Sequence, residues 1–175
     1  YEGKAKKIFS HKESDKVLIE FKDDATAFNA IKKAKFEGKG ELNCYISSRV
    51  FEFLIENDIP THFVRQEEKN IIIAKKVKII PLEVVVRNIA YGSLCKQTTF
   101  RPGTVLDNPL IDLYFKNDDL NDPLITHKRI LMLNILNKVD LEFIEALTLT
   151  INDLLKEFFN KIKLELVDFK LEFGH

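Results

Sequence analysis

Near its C-terminal end the sequence carries a cation between two carboxylates, at a spacing that places all three on one face of a strand. Asp168, Lys170 and Glu172 alternate with apolar residues, and same-face side chains of a strand lie about 6.5–7 Å apart. Such a group could bind a phosphate and Mg²⁺ together, because Mg²⁺ takes one or two carboxylates and completes its shell with phosphate oxygens and water. The alternative is a solvated strand face whose opposite charges keep an edge strand soluble.

A second candidate site is the segment 87–93, in which an arginine ends an apolar strand and a Gly-Ser pair follows. The guanidinium of Arg87 presents a rigid fork of donors suited to phosphate or carboxylate. Ser93, with backbone N–H groups beside Gly92, could add donors where a helix begins. A turn with a surface arginine explains the same residues without any ligand.

Asp112 and Lys116 repeat the alternating pattern on another predicted strand, and an acidic segment, 117–119, follows them. They are candidates for the same kind of anion and cation chemistry. Acidic turns after a strand are also common in proteins without any such site, so the structural interpretation stays open here.

At the N-terminus, Gly3 precedes a predicted strand on which Lys4 and Lys6 share a face. This arrangement suits a phosphate, but it matches neither the GxxxxGK[ST] nor the GxGxxG motif. Two lysines on an ordinary edge strand are the alternative.

The composition excludes several classes of protein. The 175 residues contain 27 Lys plus Arg and 27 Asp plus Glu, so the basic excess typical of nucleic-acid binding is missing. Cys44 and Cys95 form no CxxC pair, and the four histidines have no metal-ligand spacing, which disfavours zinc sites and Ser/His or Cys/His catalysis. With no membrane-spanning run and no signal peptide, we expect a cytoplasmic protein, although the sequence starts at Tyr1 rather than Met.

The apolar periodicity predicts the elements that position these residues. A helix is predicted from Leu42 to Leu54, and a longer one with Asp140 as its N-cap that ends near Lys163. The segment 23–26 is predicted to be a turn or loop. Strands are predicted at 4–9, 17–21, 61–64, 71–74, 82–87, 110–116 and 166–173. Interspersed strands and helices indicate an α+β or α/β fold, with a boundary near residues 75–81.

Taken in order, these segments resemble the SAICAR synthetase family of purine biosynthesis. The resemblance implies an α+β fold of two lobes with an ATP cleft between them. Residues 1–77 would form the strand-rich ATP-binding lobe, and residues 78–175 a substrate-binding lobe that is incomplete at its C-terminus. The matching segments cover nearly the whole sequence: 1–6, 21–29, 38–43, 80–88, 92–93, 116–118, 122–124 and 167–174.

The resemblance implies an ATP-dependent ligase that uses Mg²⁺. Its substrates are carboxyaminoimidazole ribonucleotide (CAIR) and L-aspartate, and its products are SAICAR, ADP and phosphate. No nucleic acid or membrane is expected as a partner, and the family suggests a homodimer. Two other functions stay open on the residues alone: a small-molecule kinase, and a non-catalytic nucleotide-binding fragment.

The family also implies roles for single residues. Lys170 and Asp168 are the expected catalytic residues, with Lys170 beside the transferred phosphoryl group and Asp168 in contact with CAIR; Glu172 is the expected metal ligand. The expected ATP contacts are Gly3, Lys4, Lys6, Lys76 and Ile79. The expected substrate contacts are Arg87 and Ser93 at the CAIR phosphate, with Asp112, Lys116 and Asp122 in the CAIR and aspartate pocket.

Two positions depart from the family pattern: Ala30 stands where glycine is frequent, and Asn121 where histidine is frequent. A larger departure follows His175, because the family continues with an acidic segment and further arginines that supply another metal carboxylate and more phosphate donors. We therefore expect this sequence to be the ordered portion of a longer protein.

Overall fold

The computed structural model describes residues 1–27 and 32–175. By its internal contacts the chain forms two compact units, Tyr1–Val77 and Lys78–His175. Phe28 and Asn29, which belong to a segment that resembles the family, and Ala30, a departure from it, lie outside the described residues. Among the helices that the structure describes, none is long and apolar enough to cross a bilayer.

The N-terminal unit is a four-stranded antiparallel sheet with one helix and a two-stranded ribbon. The sheet has the order β1-β2-β6-β5, and β3 pairs with β4 in the ribbon. One side of the sheet is packed with buried apolar side chains, and Cys44 of α1 joins this core. The elements are β1 Lys6–Ser10, β2 Lys16–Phe21, β3 Asp24–Ala27, β4 Lys32–Lys35, α1 Lys39–Glu56, β5 Phe63–Glu68 and β6 Ile71–Lys75.

The prediction of a turn or loop at 23–26 is wrong, since β3 begins at Asp24 and pairs with β4. Asp24 lies opposite Lys35 in this ribbon, and opposite charges on paired strands stabilise the pairing. The partner strand is needed to see this, because the acidic residues alone are typical of a turn. A smaller difference is that β1 begins at Lys6 rather than residue 4.

Two glycines set the start of α1. Gly38 has φ 81°, a left-handed conformation that glycine adopts without strain. Gly40 lies against the end of β2, and a Cβ added there would come within 2.4 Å of the Phe21 carbonyl oxygen. The Gly40 N–H donates to Asp23 Oδ1 at 2.9 Å. The Gly-Lys-Gly segment therefore allows the helix to begin in contact with the sheet.

The C-terminal unit is a three-stranded antiparallel sheet with the order β8-β7-β9 and helices on one face. Leu82 and Val84 of β7 are buried against Ile130 of α3 and Ile144 of α4. On the same strand, Asn88 Nδ2 donates to Asn152 Oδ1 of α4 at 2.8 Å and so fastens the helix to the sheet. The elements are β7 Ile79–Ile89, α2 Ser93–Gln97, β8 Val105–Phe115, a 3₁₀ turn Asp118–Leu120, α3 His127–Met132, α4 Lys138–Asn160 and β9 Asp168–Gly174.

The prediction of Asp140 as an N-cap is wrong, because α4 begins at Lys138 after the N-cap Asn137. Asn137 Oδ1 accepts from the Asp140 N–H, and Asn137 Nδ2 donates to Asp140 Oδ2, both at 2.8 Å. Asp140 is thus the hydrogen-bond partner of the N-cap residue. It lies in the first turn of α4, where a carboxylate interacts favourably with the helix dipole. β8 extends back through Pro109, which an edge strand tolerates.

The first prediction concerns the close approach of α1 to β2. We expect Gly40→Ala to destabilise the protein by about 1–3 kcal/mol, because the added methyl group meets a backbone carbonyl. The measurement is the free energy of unfolding from urea titration. Gly3→Ala is the control, since a Cβ there would have no neighbour closer than 3.6 Å. Equal stability of the two variants would contradict the packing described here.

A second prediction concerns His62, whose ring packs edge-on against Phe51 with centroids 5.0 Å apart. Burial, and then the positive charges of Lys6 and Lys75, lower the pKa of His62 from its ordinary value of 6.5. Near this pH, His62 therefore binds a proton more readily in the unfolded chain than in the folded chain. The free energy of unfolding consequently falls as the pH drops below about 6.5.

We expect His62→Phe to reduce the loss of stability between pH 7.5 and 5.5 by at most about 1.4 kcal/mol, because pH 5.5 lies one unit below the ordinary pKa of 6.5. Urea unfolding of the variant and the wild type at both pH values measures this. An identical loss in both proteins would show that His62 does not carry the pH dependence.

Candidate active site

Charged residues of β7, β8 and β9 meet on the face of their sheet opposite the apolar core. Directly paired residues of antiparallel strands point to the same face. The pairing therefore forms two polar rows across the sheet. In one, Glu83 pairs with Tyr114 and Glu172; in the other, Arg87 pairs with Asp168. A third pairing sets Val85 of β7 between Asp112 and Lys170.

Arg87 is the buried centre of this face, with 6% of its surface exposed. Its Nε donates to Asp112 Oδ2 at 3.0 Å, and its Nη1 lies 3.6 Å from Asp168 Oδ2. A second terminal nitrogen, Nη2, donates to Ser93 Oγ at 2.8 Å and to the Tyr114 hydroxyl at 3.4 Å. Burial opposes the charge, but the hydrogen bonds to Asp112 and Tyr114 outweigh it and raise the pKa of Arg87. The guanidinium is thus a fixed, permanently charged group.

The segment after β7 brings Ser93 to Arg87. Gly92 has φ 59°, a conformation in which a side chain would be strained, and α2 starts at the next residue. The sequence predicted donors at a helix start. In the structure the Ser93 hydroxyl instead accepts a hydrogen bond from Arg87.

Two lysines and two glutamates form a second group on the same face, which we call the four-residue cluster: Glu83, Lys116, Lys170 and Glu172. Lys170 Nζ lies 2.6 Å from Glu83 Oε1 and 4.0 Å from Glu172 Oε1. Lys116 Nζ lies 3.1 Å from Glu172 Oε1 and 3.6 Å from Glu83 Oε1. Burial of the Lys116 ammonium opposes its charge, but the hydrogen bond to Glu172 and the charges of both glutamates raise its pKa. Each lysine thus shares two carboxylates.

Asp122 lies in the loop after β8, six residues beyond Lys116. Its Oδ1 accepts from the Asn117 N–H at 2.8 Å, so in this structure the carboxylate holds the loop rather than joining the charged face. Asn121, one of the departures, has φ 55°. Asparagine tolerates this left-handed conformation better than most residues, and the substitution therefore fits the local backbone.

Of the N-terminal candidates, Gly3 and Lys4 lie in a tight turn before β1, and Lys6 is the first residue of that strand. The Gly3 N–H donates to the Lys6 carbonyl oxygen at 2.8 Å, and Lys6 Nζ lies 4.8 Å above the Phe21 ring. The prediction that Lys4 and Lys6 share a strand face is wrong, because this turn places the exposed Lys4 before the strand.

The other two expected ATP contacts lie further along the chain. Lys76 donates its N–H to the Asp15 carbonyl oxygen at 2.7 Å. Ile79, the fifth expected ATP contact, is the first residue of β7 in the other unit.

Sequence reasoning missed two members of the charged face, Glu83 and Tyr114. Both occupy the polar positions of alternating strands, and that alternation was the available signal. Within residues 1–27 and 32–175, no three His, Cys, Asp or Glu side chains are grouped so as to hold a metal ion on their own. The carboxylates of this face could therefore share a cation with a phosphate, but they do not form a complete metal cage.

Comparison with known proteins relates this chain to one family. The family model described as SAICAR synthetase matches residues 1–175. A phosphoribosylaminoimidazole-succinocarboxamide synthase of Prochlorococcus marinus subsp. pastoris is 70% identical over 175 residues, which are 100% of this chain and 72% of that protein.

Solved structures agree with the sequence match. The crystal structure of the corresponding synthase from Ehrlichia chaffeensis has a TM-score of 0.97 and 45% identity, and the match covers 99% of this chain and 73% of that one. A SAICAR synthetase in complex with ADP has a TM-score of 0.96 and 45% identity over 99% of this chain and 74% of that one. The α+β fold expected from the resemblance is confirmed, and this chain belongs to the SAICAR synthetase family.

Proposed function

We propose that this chain is an ATP-dependent ligase that joins the carboxylate of CAIR to the amine of L-aspartate, giving SAICAR, ADP and phosphate. The observation that carries the proposal is the family match over all 175 residues. A carboxylate is a poor electrophile, so ATP first phosphorylates it, and the aspartate amine then displaces phosphate from the acyl phosphate. Phosphoryl transfer of this kind requires mainly positioning and charge neutralisation from the protein.

In this proposal Arg87 and Ser93 bind the phosphate of CAIR. The support is that Arg87 is buried and held by partners on three elements, so that its donors keep one orientation. A fork of this kind binds phosphate through two parallel hydrogen bonds. Asp168 contacts CAIR, and Asp112, Lys116 and Asp122 contribute to the pocket for CAIR and aspartate.

The remaining proposed roles concern ATP and its transferred phosphoryl group. Lys170 lies beside the transferred phosphoryl group and stabilises its charge. The ATP contacts proposed from the family are Gly3, Lys4, Lys6, Lys76 and Ile79. One solved relative, at 45% identity, was crystallised with ADP, which supports a nucleotide site in this chain.

Magnesium fits the donors that the chain offers. Glu172 is a half-buried carboxylate on the charged face, and Mg²⁺ is held in nucleotide enzymes by one or two carboxylates together with substrate phosphates and water. When bound, the ion neutralises phosphate charge. We propose Glu172 as its ligand.

The cellular setting is also part of the proposal. Cys44 and Cys95 are free thiols, as expected for a reducing compartment, and we place the enzyme in the cytoplasm. Its partners are the small-molecule substrates, with neither a nucleic acid nor a membrane, and the family suggests that it forms a homodimer.

The central experiment separates a ligase from a kinase. With ATP, Mg²⁺ and CAIR, we expect ADP release to rise at least several-fold when L-aspartate is added, with the amide product detected by mass spectrometry. The reason is that the amine consumes the acyl phosphate and lets turnover proceed. ADP formation that is independent of aspartate, without an amide, would favour the kinase; the absence of any nucleotide turnover would favour a non-catalytic fragment.

A further prediction tests the role of Arg87. We expect Arg87→Lys to raise the KM for CAIR about tenfold or more, because an ammonium keeps the charge but cannot reproduce the fork. Steady-state kinetics with CAIR as the varied substrate measures this.

Arg49→Lys is the matched control, since Arg49 forms an exposed pair with Glu52 on α1 at 2.7 Å. Its KM for CAIR should equal that of the wild type. An unchanged KM in Arg87→Lys would remove Arg87 from the proposed phosphate site.

A further inference from the structure

The four-residue cluster holds one carboxylate that has no role in the reaction as proposed so far. Glu172 is the proposed metal ligand, and Lys170 the proposed phosphoryl contact. Glu83 is neither, yet it makes the shortest contact in the cluster, 2.6 Å to Lys170 Nζ.

Glu83 is also the best-anchored member of the cluster. It lies on β7, the central strand, whereas Lys116 directly follows the last residue of β8, and Lys170 and Glu172 lie on β9. Its side chain is 14% exposed, compared with 34% for Glu172 and 42% for Lys116. A carboxylate in this position reaches Lys170 on β9 and Lys116 at the end of β8, and its own orientation is restricted by burial.

The charges of the cluster balance, with two lysines against two glutamates. When Glu172 binds a cation, its charge is committed to that ion, and Glu83 is the cluster's remaining carboxylate for Lys116 and Lys170. If Glu83 were neutral, the remaining carboxylate of the cluster for Lys170 would be Glu172, 4.0 Å away. Lys170 would then compete directly with the metal for that carboxylate, since like charges repel and unlike charges attract at this range.

We propose that Glu83 is a positioning residue: it holds Lys170 on the charged face at 2.6 Å and thereby keeps this lysine from competing for Glu172 with a divalent cation bound to nucleotide. This inference rests on the proposed function and extends it to a residue with no role assigned by the family resemblance. Glu83 acts through Lys170 and does not itself contact the reacting atoms.

The experiment uses Glu83→Gln and Glu83→Asp in the full chain. Glu142→Gln is the control, because Glu142 forms an exposed pair with Lys138 at 3.6 Å on α4. ADP binding is measured by titration calorimetry, without CAIR, over a series of Mg²⁺ concentrations. The Mg²⁺ concentration that gives half-maximal binding, kcat and the thermal midpoint are recorded for each protein.

We expect Glu83→Gln to require about five- to tenfold more Mg²⁺ for half-maximal ADP binding and to lower kcat about tenfold or more. Glu83→Asp, which keeps the charge, should recover most of both losses. Glu142→Gln should equal the wild type. A purely structural role would lower the thermal midpoint without changing the Mg²⁺ requirement.

The inference is overturned if the Mg²⁺ requirement of Glu83→Gln stays within twofold of that of the wild type, or if Glu83→Asp does not recover it. Failure of the proposed function gives a different result. In that case the wild type forms no amide from CAIR and aspartate, while the Mg²⁺ requirement for ADP binding still shifts in Glu83→Gln.

Discussion

The buried guanidinium of Arg87 is the interaction on which the candidate site depends. A cation with 6% exposure must have its charge compensated, and Asp112 of β8 and Asp168 of β9 supply the compensation from the strands on either side. The three strands are therefore held together by charge on one face and by apolar packing on the other. The same contacts also set the orientation of the guanidinium.

The central strand β7 connects stability with chemistry, because its side chains alternate. Leu82, Val84 and Val86 are buried in the core, whereas Glu83 and Arg87 project from the opposite face. Arg87 contacts Asp112 of β8 and Asp168 of β9. Glu83 contacts Lys170 of β9 and Lys116, which directly follows β8. Since the apolar side is packed against α3 and α4, the strand cannot slip by one residue without exchanging its two faces. The hydrophobic core thus holds the charged face in register.

The family assignment places these contacts in an enzyme that needs charge neutralisation more than a nucleophile. The described residues agree with that requirement, since the charged face contains Arg, Lys, Asp and Glu side chains in mutual contact. Carboxylates keep the cations oriented before any anionic substrate arrives. Preorganisation of this kind reduces the reorganisation needed when the phosphoryl group is transferred.

Much of the secondary structure could be predicted because the apolar periodicity is strong. The strands around 82–87 and 110–116 and the two long helices are present, with helix starts and strand ends shifted by a few residues. The segment 23–26 was missed because the pairing of Asp24 with Lys35 joins residues that are separated in the chain. The N-cap of α4 was misplaced because Asn137 and Asp140 are both good capping residues, and only their reciprocal hydrogen bonds distinguish them.

The sequence by itself determined which residues alternate, which family the chain resembles, and that Arg87, Asp112, Lys116, Asp168, Lys170 and Glu172 were candidates for charge chemistry. Only the tertiary structure decided that these side chains share one face, that Glu83 and Tyr114 belong with them, and that the Asp122 carboxylate holds a loop instead. The physical reason is that alternation is a local property of each strand. Register and strand order, by contrast, result from packing and hydrogen bonding between segments as far apart in the chain as Glu83 and Lys170.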